Sequence, residues 1–314
     1  MSDPTVPSEA KAVSFAAYGD PEELRFTDLA VPRPGPGQVL LRVAGAGVNA
    51  LDWKLRSGML QGVFPVTFPY VPGFEAAGTV VAKGPDVESW QLGDEVVGLT
   101  SAAYAEYAVA EAATLAARPA DLPVETAAGL PVAAETAVRG LGLLDLKPGE
   151  TLLIHGAAGA VGTLAVQFAV EDGVRVIGTA GERDQEALRE LGAIPVRYGD
   201  GVFDRAREAA AGEPVAAVLH TSGDGLLADS VALVGGPERV VTIAAAQESG
   251  PLGVTFTSGG STDTAVAGLA RALALHAAGT LSAPVRTTLP LAEAPTAHRL
   301  SEQGGGRGKI VLLP

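Results

Sequence analysis

Three evenly spaced glycines give the clearest chemical signal in this sequence. Gly156, Gly159 and Gly162 form a G-x-x-G-x-x-G pattern directly after the apolar run 152–154. The first glycine allows a tight turn, the second lets the backbone approach a pyrophosphate, and the third lets the next helix pack closely. Because the start of that helix offers free N–H groups to phosphates, the pattern predicts a dinucleotide site. A structural Gly-rich turn is the alternative. The predicted contact residues are Gly156, Ala157, Ala158, Gly159, Ala160 and Val161.

The residues after the next strand-like run indicate which dinucleotide would bind. A carboxylate about 20 residues after the glycines would bond the ribose hydroxyls of NAD. The tip at Ala180 and Gly181 carries no acid, and Arg183 follows it. A guanidinium binds a 2′-phosphate through two hydrogen bonds, so we predict NADP(H), with Gly181 and Arg183 at the site and Tyr198 beside the same phosphate. Glu182 could instead turn towards a ribose, and a solvated surface position is the alternative for Arg183 and Tyr198.

Small and polar residues follow two later strand-like runs. His220, Thr221 and Ser222 come after the first of these runs, and Ala244 and Ala245 come after the second. Cofactors bind at the carboxyl ends of parallel strands. We therefore expect the first group to line the adenosine or ribose side, and the two alanines to let the nicotinamide ribose approach closely.

The elements that must position these residues change in character near residue 119. Before it, short strand-like runs bounded by Gly and Pro predict a barrel or sandwich. After it, apolar strands alternate with helices, which predicts βαβ units and a parallel sheet. The Ala/Leu-rich stretch 123–144 is predicted to be helical, and further strand-like runs follow Ala283. The fold class is therefore α/β, and 314 residues allow about two domains.

Composition excludes several classes of function. The 36 acidic and 22 basic residues give a net charge of −14, which repels phosphate backbones and anionic lipid. We therefore expect no nucleic-acid or membrane partner. The chain has no cysteine and four histidines, which excludes disulfides, thiolate zinc sites and iron–sulfur clusters. The first ten residues carry no basic side chain, so we expect no signal or transit peptide and a cytoplasmic location.

Several linked stretches carry a resemblance to a known family. They are Gly47–Asp52, Arg56–Gly58, Phe68–Gly78, Gly93–Val96, Tyr104–Tyr107, Ala134–Ala137, Gly156–Gly162 and Gly308–Leu312. Together they resemble the zinc-independent quinone oxidoreductase branch of the medium-chain dehydrogenase/reductase superfamily. The resemblance implies a GroES-like β-barrel catalytic domain at 1–119 and 284–314, with an inserted Rossmann domain, a doubly wound parallel sheet, at 120–283. It also implies a site in the interdomain cleft and adds Thr136, near the nicotinamide carboxamide, and Lys309 to the cofactor site.

Departures from the zinc-dependent relatives point to metal-free chemistry. Those relatives carry a Cys near the position of Asn49 and a His at the position of Phe74, and this sequence has neither. A zinc site needs at least three protein ligands, which Glu75 and Asp52 alone do not supply. We therefore predict no metal.

Without a metal, hydrogen-bond donors must polarise the carbonyl of the substrate. Asn49, Asp52 and Lys54 lie on one short segment, around the helix predicted at 50–56, and are the predicted catalytic residues. Asn49 is also predicted to bind the cofactor, as a donor near the nicotinamide or ribose. A turn-stabilising role is the alternative for Asn49, and a helix cap is the alternative for Asp52.

The resemblance implies hydride transfer from NADPH to a quinone or an α,β-unsaturated carbonyl, including a secondary-metabolite tailoring step. A non-catalytic NADPH-binding protein, structural or redox-sensing, is the alternative. We also expect a homodimer, in which the apolar run 239–243 and the segment after it could form a sheet edge.

Overall fold

The computed structural model describes residues 6–223 and 225–314, and the chain divides into two compact units. Unit 1 takes in the chain up to Val132 together with residues 284–305 and 309–314. Unit 2 takes in residues 133–283 and 306–308. The predicted α/β class is confirmed, because unit 1 is built mainly on antiparallel strands and unit 2 on a parallel sheet with helices.

Unit 1 is organised around one long strand. Its strands are β1 (Glu9–Ser14), β2 (Arg25–Ala30), β3 (Gln38–Val48), β4 (Glu75–Lys83), β5 (Glu95–Leu99), β6 (Tyr107–Glu111), β7 (Leu115–Ala117), β14 (Val285–Pro290) and β15 (Lys309–Leu313). The main sheet has the order β14-β15-β3-β4-β5-β7, and β6 also pairs with β3. Strand β3 therefore has antiparallel partners on both sides, β15 and β4, over its last residues.

Three helices belong to unit 1: α1 (Ala50–Arg56), α2 (Val124–Ala128) and α10 (Ala294–Glu302). Helix α1 follows β3 directly, and a capping box between Asn49 and Asp52 fixes its start. The unit has an apolar core to which β3, β15 and α10 contribute, including Val43, Ala46, Tyr104, Ala297 and Leu312. The start of α1 is thus placed at the end of a buried strand.

Unit 2 is a six-stranded parallel sheet. Its strands are β8 (Thr151–His155), β9 (Arg175–Ala180), β10 (Ile194–Arg197), β11 (Val215–His220), β12 (Val240–Thr242) and β13 (Thr255–Phe256). The order is β10-β9-β8-β11-β12-β13, so the chain progresses in opposite directions on the two sides of β8 and β11. The carboxyl ends of strands at such a switch point form the usual ligand crevice of an open α/β sheet.

Helices precede, connect and follow these strands. They are α3 (Pro131–Gly142, which begins at the end of unit 1), α4 (Ala160–Glu171), α5 (Gln185–Glu190), α6 (Val202–Ala210), α7 (Leu227–Val234), α8 (Ala246–Leu252) and α9 (Thr262–Ala277). All five residues of β8 are buried, as expected for a central strand covered on both faces. In the described part of the chain, no helix has the length and apolarity needed to cross a membrane.

Two predicted elements differ from the structure. The stretch predicted to be helical over 123–144 is divided into two helices, α2 and α3, because Pro131 begins a new helix rather than continuing the first. The run 239–243 is not a sheet edge, because β12 pairs on its outer side with β13. The short β13 and the helix α8 before it were not predicted.

Candidate functional site

The glycine turn joins β8 to α4. Gly156 has φ +75°, a left-handed conformation that glycine adopts without strain. Two hydrogen bonds from the turn hold it to β9: the Gly156 N–H donates to Thr179 Oγ1 at 3.1 Å and the Ala157 N–H donates to the Thr179 carbonyl at 3.0 Å. Ala157 is fully buried, so its side chain packs inside the turn and is not accessible to a ligand. Residues 158–161 are partly exposed and form the part of the turn that a ligand can reach.

The other two glycines of the motif differ in the space around them. A Cβ on Gly162 would overlap the Gly156 carbonyl and lie 2.7 Å from Ala157 Cα, so this glycine allows the helix to meet the turn. A Cβ on Gly159 would meet only the Gly156 oxygen, at 3.3 Å. Gly159 is the N-cap of α4, whose first N–H groups have no acceptor within the helix. The turn therefore fits the pyrophosphate of a dinucleotide, and a side chain at Gly159 would fill that space.

Threonine hydroxyl groups hold the chain at the carboxyl ends of the two neighbouring strands, β11 and β12. Thr221 Oγ1 donates to the His155 carbonyl at 2.7 Å, which ties the end of β11 to the end of β8. Thr242 Oγ1 accepts the N–H groups of Ala244 and Ala245, at 3.2 and 3.1 Å. Sequence reasoning missed Thr242, although a threonine that ends a strand before a turn is a recognisable signal.

The expectation that His220 lines the cofactor site is wrong. Its side chain is fully buried, with Nδ1 3.1 Å from Thr242 Oγ1 and its ring 5.6 Å from the ring of His155. His220 therefore belongs to the interior of the sheet, between β8 and β12.

The residues predicted around a 2′-phosphate gather at the tips of β9 and β10. Arg197 pairs with Ala180 in the sheet, and Tyr198 follows with 58% of its surface exposed. A Cβ on Gly181 would lie 3.4 Å from the Tyr198 ring, so the two residues are neighbours. Arg183 lies on the exposed turn that follows Gly181. An exposed guanidinium and an exposed phenol thus flank one strand tip.

Thr136 lies on α3 and is buried within a polar cluster. Its hydroxyl is 3.3 Å from Glu135 Oε2, and Glu135 accepts two hydrogen bonds from Arg139. Arg139 donates to Thr257 at 2.7 Å and Glu135 accepts from Thr264 at 2.9 Å. The cluster ties Thr257, and Thr264 on α9, to α3. Sequence reasoning missed Glu135 and Arg139, although their i, i+4 spacing on a helix is a recognisable ion-pair signal; their other partners lie more than a hundred residues away.

The start of α1 in unit 1 contains a fully buried carboxyl group. Asp52 Oδ2 accepts the Asn49 N–H at 2.8 Å and the Tyr104 hydroxyl at 2.9 Å. Burial raises the pKa of Asp52 to about 7 despite these two donors. Burial, together with the Asp52 charge, also raises the pKa of Tyr104. Asp52 is therefore part of the capping box of α1, its side chain is closed to solvent, and the structure favours a positioning role over contact with a substrate.

Asn49 is held by a second buried group of charges. Its Nδ2 donates to Glu75 Oε1 at 2.8 Å, and its Oδ1 accepts from Lys309 Nζ at 2.6 Å. Lys309 also pairs with Glu75 at 2.6 Å. Lys309 is 7% exposed and its ammonium bonds to these two residues, and the cofactor contact predicted for it stays a prediction.

Lys54 stands apart from this cluster. It is half-buried, its Nζ lies 5.7 Å from the centre of the Trp53 ring, and partial burial lowers its pKa. Of the three predicted catalytic residues, the structure therefore brings Asn49 and Asp52 into contact and leaves Lys54 on another part of α1.

Zinc does not fit the donor groups in the part of the chain that the structure describes. Among residues 6–223 and 225–314, no group of three or more His, Asp or Glu side chains is arranged to hold a metal ion. Asn49 and Phe74 flank Glu75 in the region where a zinc site would need Cys and His, and the Glu75 carboxylate bonds instead to Asn49, Lys309 and the Val132 N–H.

Comparison with known proteins adds family information to this geometry. Residues 35–120 match the model of the alcohol dehydrogenase GroES-like domain, and residues 191–312 match that of the zinc-binding dehydrogenase. The chain is 32% identical over 324 aligned positions to the quinone oxidoreductase of Lama guanicoe, covering 96% of this chain and 97% of that protein. It is 34% identical over 232 positions to an NADPH-dependent alkenal/one oxidoreductase of Arabidopsis thaliana, covering 65% of this chain and 59% of that one.

A solved structure agrees with both units. A mycobacterial protein in complex with NADPH matches with a TM-score of 0.84 at 29% identity, over 97% of this chain and 100% of that chain. The predicted GroES-like and Rossmann architecture is confirmed by this match and by the domain match over 35–120. With near-complete coverage of a relative at 32% identity, the chain belongs to the zinc-independent quinone oxidoreductase branch of the medium-chain dehydrogenase/reductase superfamily.

Proposed function

We propose that this protein is an NADPH-dependent reductase of quinones or α,β-unsaturated carbonyls. The observation that carries the proposal is the partly exposed turn at 158–161, whose backbone opens α4 at the switch point of a parallel sheet. Such a turn binds the pyrophosphate of a dinucleotide. The names of the relatives, quinone oxidoreductase and alkenal/one oxidoreductase, support the choice of acceptor.

The preference for NADPH over NADH rests on the tips of β9 and β10. The tip residues Ala180 and Gly181 carry no carboxylate, whereas Arg183 is exposed beside them and Tyr198 is a neighbour of Gly181. A guanidinium forms charge-assisted hydrogen bonds with a phosphate, which are roughly twice as strong as neutral ones. Glu182 is also exposed at this tip, so the preference depends on which of the two side chains meets the ribose.

In unit 1, the reaction needs a donor to the carbonyl oxygen and a source of a proton. The nicotinamide, when bound, supplies a hydride. Reduction of an enone adds that hydride to the β-carbon and a proton to the α-carbon, and reduction of a quinone adds the hydride and a proton to give the hydroquinone. We assign the Asn49 amide as the donor to the developing oxyanion and Lys54, whose pKa is lowered, as the proton source. Asp52 acts through Asn49 and Tyr104.

The test is a stopped-flow measurement of NADPH oxidation against a panel of quinones and enones. We expect saturable oxidation with at least one acceptor and a slower reaction with NADH. If NADPH binds tightly and no member of either class is reduced, the alternative of a non-catalytic NADPH-binding protein is favoured. Because the donor set does not fit zinc, activity should also survive prolonged chelation.

Three further properties remain predictions. A secondary-metabolite tailoring role and a cytoplasmic location rest on the sequence reasoning alone. A homodimer through a sheet edge would use β13, since β12 is covered, and Phe256 on β13 is exposed. Analytical ultracentrifugation of the protein and of a Phe256→Lys variant tests this edge.

A further inference from the structure

We infer that Glu75 and Lys309 act as a positioning pair, which fixes the side-chain amide of Asn49 in one orientation and leaves a single N–H for the ligand. The inference rests on the proposed function, in which that N–H serves the bound substrate or cofactor. Neither member of the pair needs to touch the ligand itself.

The hydrogen bonds select one of the two amide orientations. An asparagine amide has two N–H donors and an oxygen with two acceptor sites. Asn49 Nδ2 donates to the Glu75 carboxylate and Asn49 Oδ1 accepts from the Lys309 ammonium. A flipped amide would turn its N–H groups towards the ammonium and its oxygen towards the carboxylate, so both contacts would become repulsive. The present orientation uses one N–H and leaves the other available.

The fold makes dedicated room for this ion pair. Glu75 is fully buried and Lys309 is 7% exposed. A Cβ on Gly47 would overlap Glu75 Oε1, and a Cβ on Gly129 would lie 2.6 Å from Lys309 Cγ. The Val132 N–H donates to Glu75 Oε2 at 2.8 Å and fixes the carboxylate from the other side. Two glycines and a backbone donor thus accommodate one pair of charges.

Stability alone does not account for such a pair. Burying two charges costs free energy that their mutual attraction often fails to recover, so replacing a buried ion pair by apolar residues is frequently neutral or stabilising. The strand register supplies the other reason for the pair. Ile310 pairs with Val48 and Ala76 pairs with Ala46, so the first residues of β15 and β4, Lys309 and Glu75, flank the end of β3 where Asn49 follows.

The sequence makes a direct test possible, because Asn49 is the only asparagine in the chain. Protein labelled with 15N at the asparagine side chain gives one pair of amide proton signals in a heteronuclear NMR spectrum. We expect two well-separated signals, of which one moves on addition of NADPH or acceptor while the other, bonded to Glu75, stays in place. The variant that carries both Glu75→Gln and Lys309→Met should lose this difference, with both signals moving towards each other.

A matched control removes a different ion pair of unit 1. Arg118 pairs with Glu95, the first residue of β5, and neither bonds to Asn49, so the variant Glu95→Gln/Arg118→Met should leave both Asn49 signals unchanged. An unchanged Asn49 spectrum in the Glu75→Gln/Lys309→Met variant would overturn the inference. If the wild type does not bind NADPH by fluorescence titration, the proposed function fails, while the two signals of the free protein still test the positioning pair.

A double-mutant cycle tests whether the pair acts through Asn49. We expect the Glu75→Gln/Lys309→Met variant and the Asn49→Ala variant each to slow single-turnover NADPH oxidation by about tenfold or more, as for a lost hydrogen bond to a charged group. Adding Asn49→Ala to the first variant should cause no further loss. Losses that multiply would show that the pair supports the fold independently of Asn49, and would contradict the inference.

Discussion

The glycine turn of unit 2 and the Asn49 cluster of unit 1 differ in the groups that they offer to a ligand. The turn spans residues 156–162 without a single charged side chain and offers backbone N–H groups. The cluster buries Glu75, Lys309 and Asp52 around Asn49, the first two at its side-chain amide and Asp52 at its backbone N–H. Backbone donors are fixed by the fold and do not titrate, whereas buried charges depend on protonation and on their partners. The turn should therefore be sensitive to side-chain volume, and the cluster to charge and pH.

The largest effect should come from volume in the turn. Gly159→Val puts a branched side chain where the pyrophosphate would lie, and we expect the affinity for NADPH to fall by about 100-fold or more, because several charge-assisted hydrogen bonds are lost together. Gly159 has an extended backbone, φ −70° and ψ 171°, which valine also adopts. The thermal unfolding temperature should therefore change little. Fluorescence titration and thermal unfolding of the same variant provide the measurement.

Gly142→Val is the matched control for that substitution. Gly142 lies at the end of α3, and a Cβ added there would have no neighbouring atom within 4 Å, so both affinity and stability should stay close to those of the wild type. Normal NADPH binding by the Gly159→Val variant would mean that the turn is structural.

These two regions also differ in how far the sequence could predict them. The turn is local: its three glycines, the strand before it and the helix after it lie within about twenty consecutive residues, and each has a known preference. The Asn49 cluster joins residues that are 26 and 260 positions apart. Motif reasoning identified Asn49 and Asp52 as polar residues on a short helix, but it could not show that Lys309 and Glu75 would enclose Asn49, because that follows from strand register.

The same limit explains the other differences between prediction and structure. The end of β11 was identified, yet the His220 side chain is buried on the face of the sheet where its ring lies beside that of His155, because alternate residues of a strand face opposite sides and the register was not known. The two-residue strand β13 is too short to produce a periodic pattern.

An intermediate effect should come from Arg183, the one predicted cofactor contact in unit 2 that is a charged side chain. Arg183→Ala should weaken NADPH binding by about 10- to 100-fold, as expected for one lost hydrogen bond to a charged group, and leave NADH binding unchanged. This result would show that unit 2 distinguishes NADPH from NADH by a charged side chain, in addition to the backbone N–H groups of its turn. Titration with both cofactors provides the measurement.

A second surface arginine serves as the control for Arg183. Arg207 is exposed on α6 and pairs with Asp204, so Arg207→Ala should alter neither affinity. Equal weakening of NADPH and NADH by Arg183→Ala would contradict the assignment of a 2′-phosphate contact.

The pH dependence of unit 1 should contain two opposed contributions. Burial raises the pKa of Asp52 from 3.8 to about 7, so its contribution to stability is complete below about pH 4 and is lost as the pH rises towards 7. Burial, with the charge of Arg56, lowers the pKa of His298 from 6.5 to about 3, so its contribution is complete above pH 6.5 and is lost as the pH falls towards 3. Between about pH 4 and 6.5, a rise in pH therefore lowers the contribution of Asp52 to stability and raises that of His298.

Replacing one of these two groups should leave the other to determine how the free energy of unfolding changes with pH. In Asp52→Asn the amide oxygen can still accept from the Asn49 N–H and Tyr104, but it does not titrate, so the free energy of unfolding should rise with pH between 4 and 6.5 relative to the wild type, by about 1 kcal/mol per pH unit. Urea titrations followed by tryptophan fluorescence measure this in unit 1, because both tryptophans, Trp53 and Trp90, lie there. For His298→Gln, the free energy of unfolding should fall with pH relative to the wild type over the same range. Gly159→Ala, which changes the uncharged turn, is the control and should follow the wild-type curve. Parallel curves for Asp52→Asn and the wild type would contradict the raised pKa of the buried Asp52.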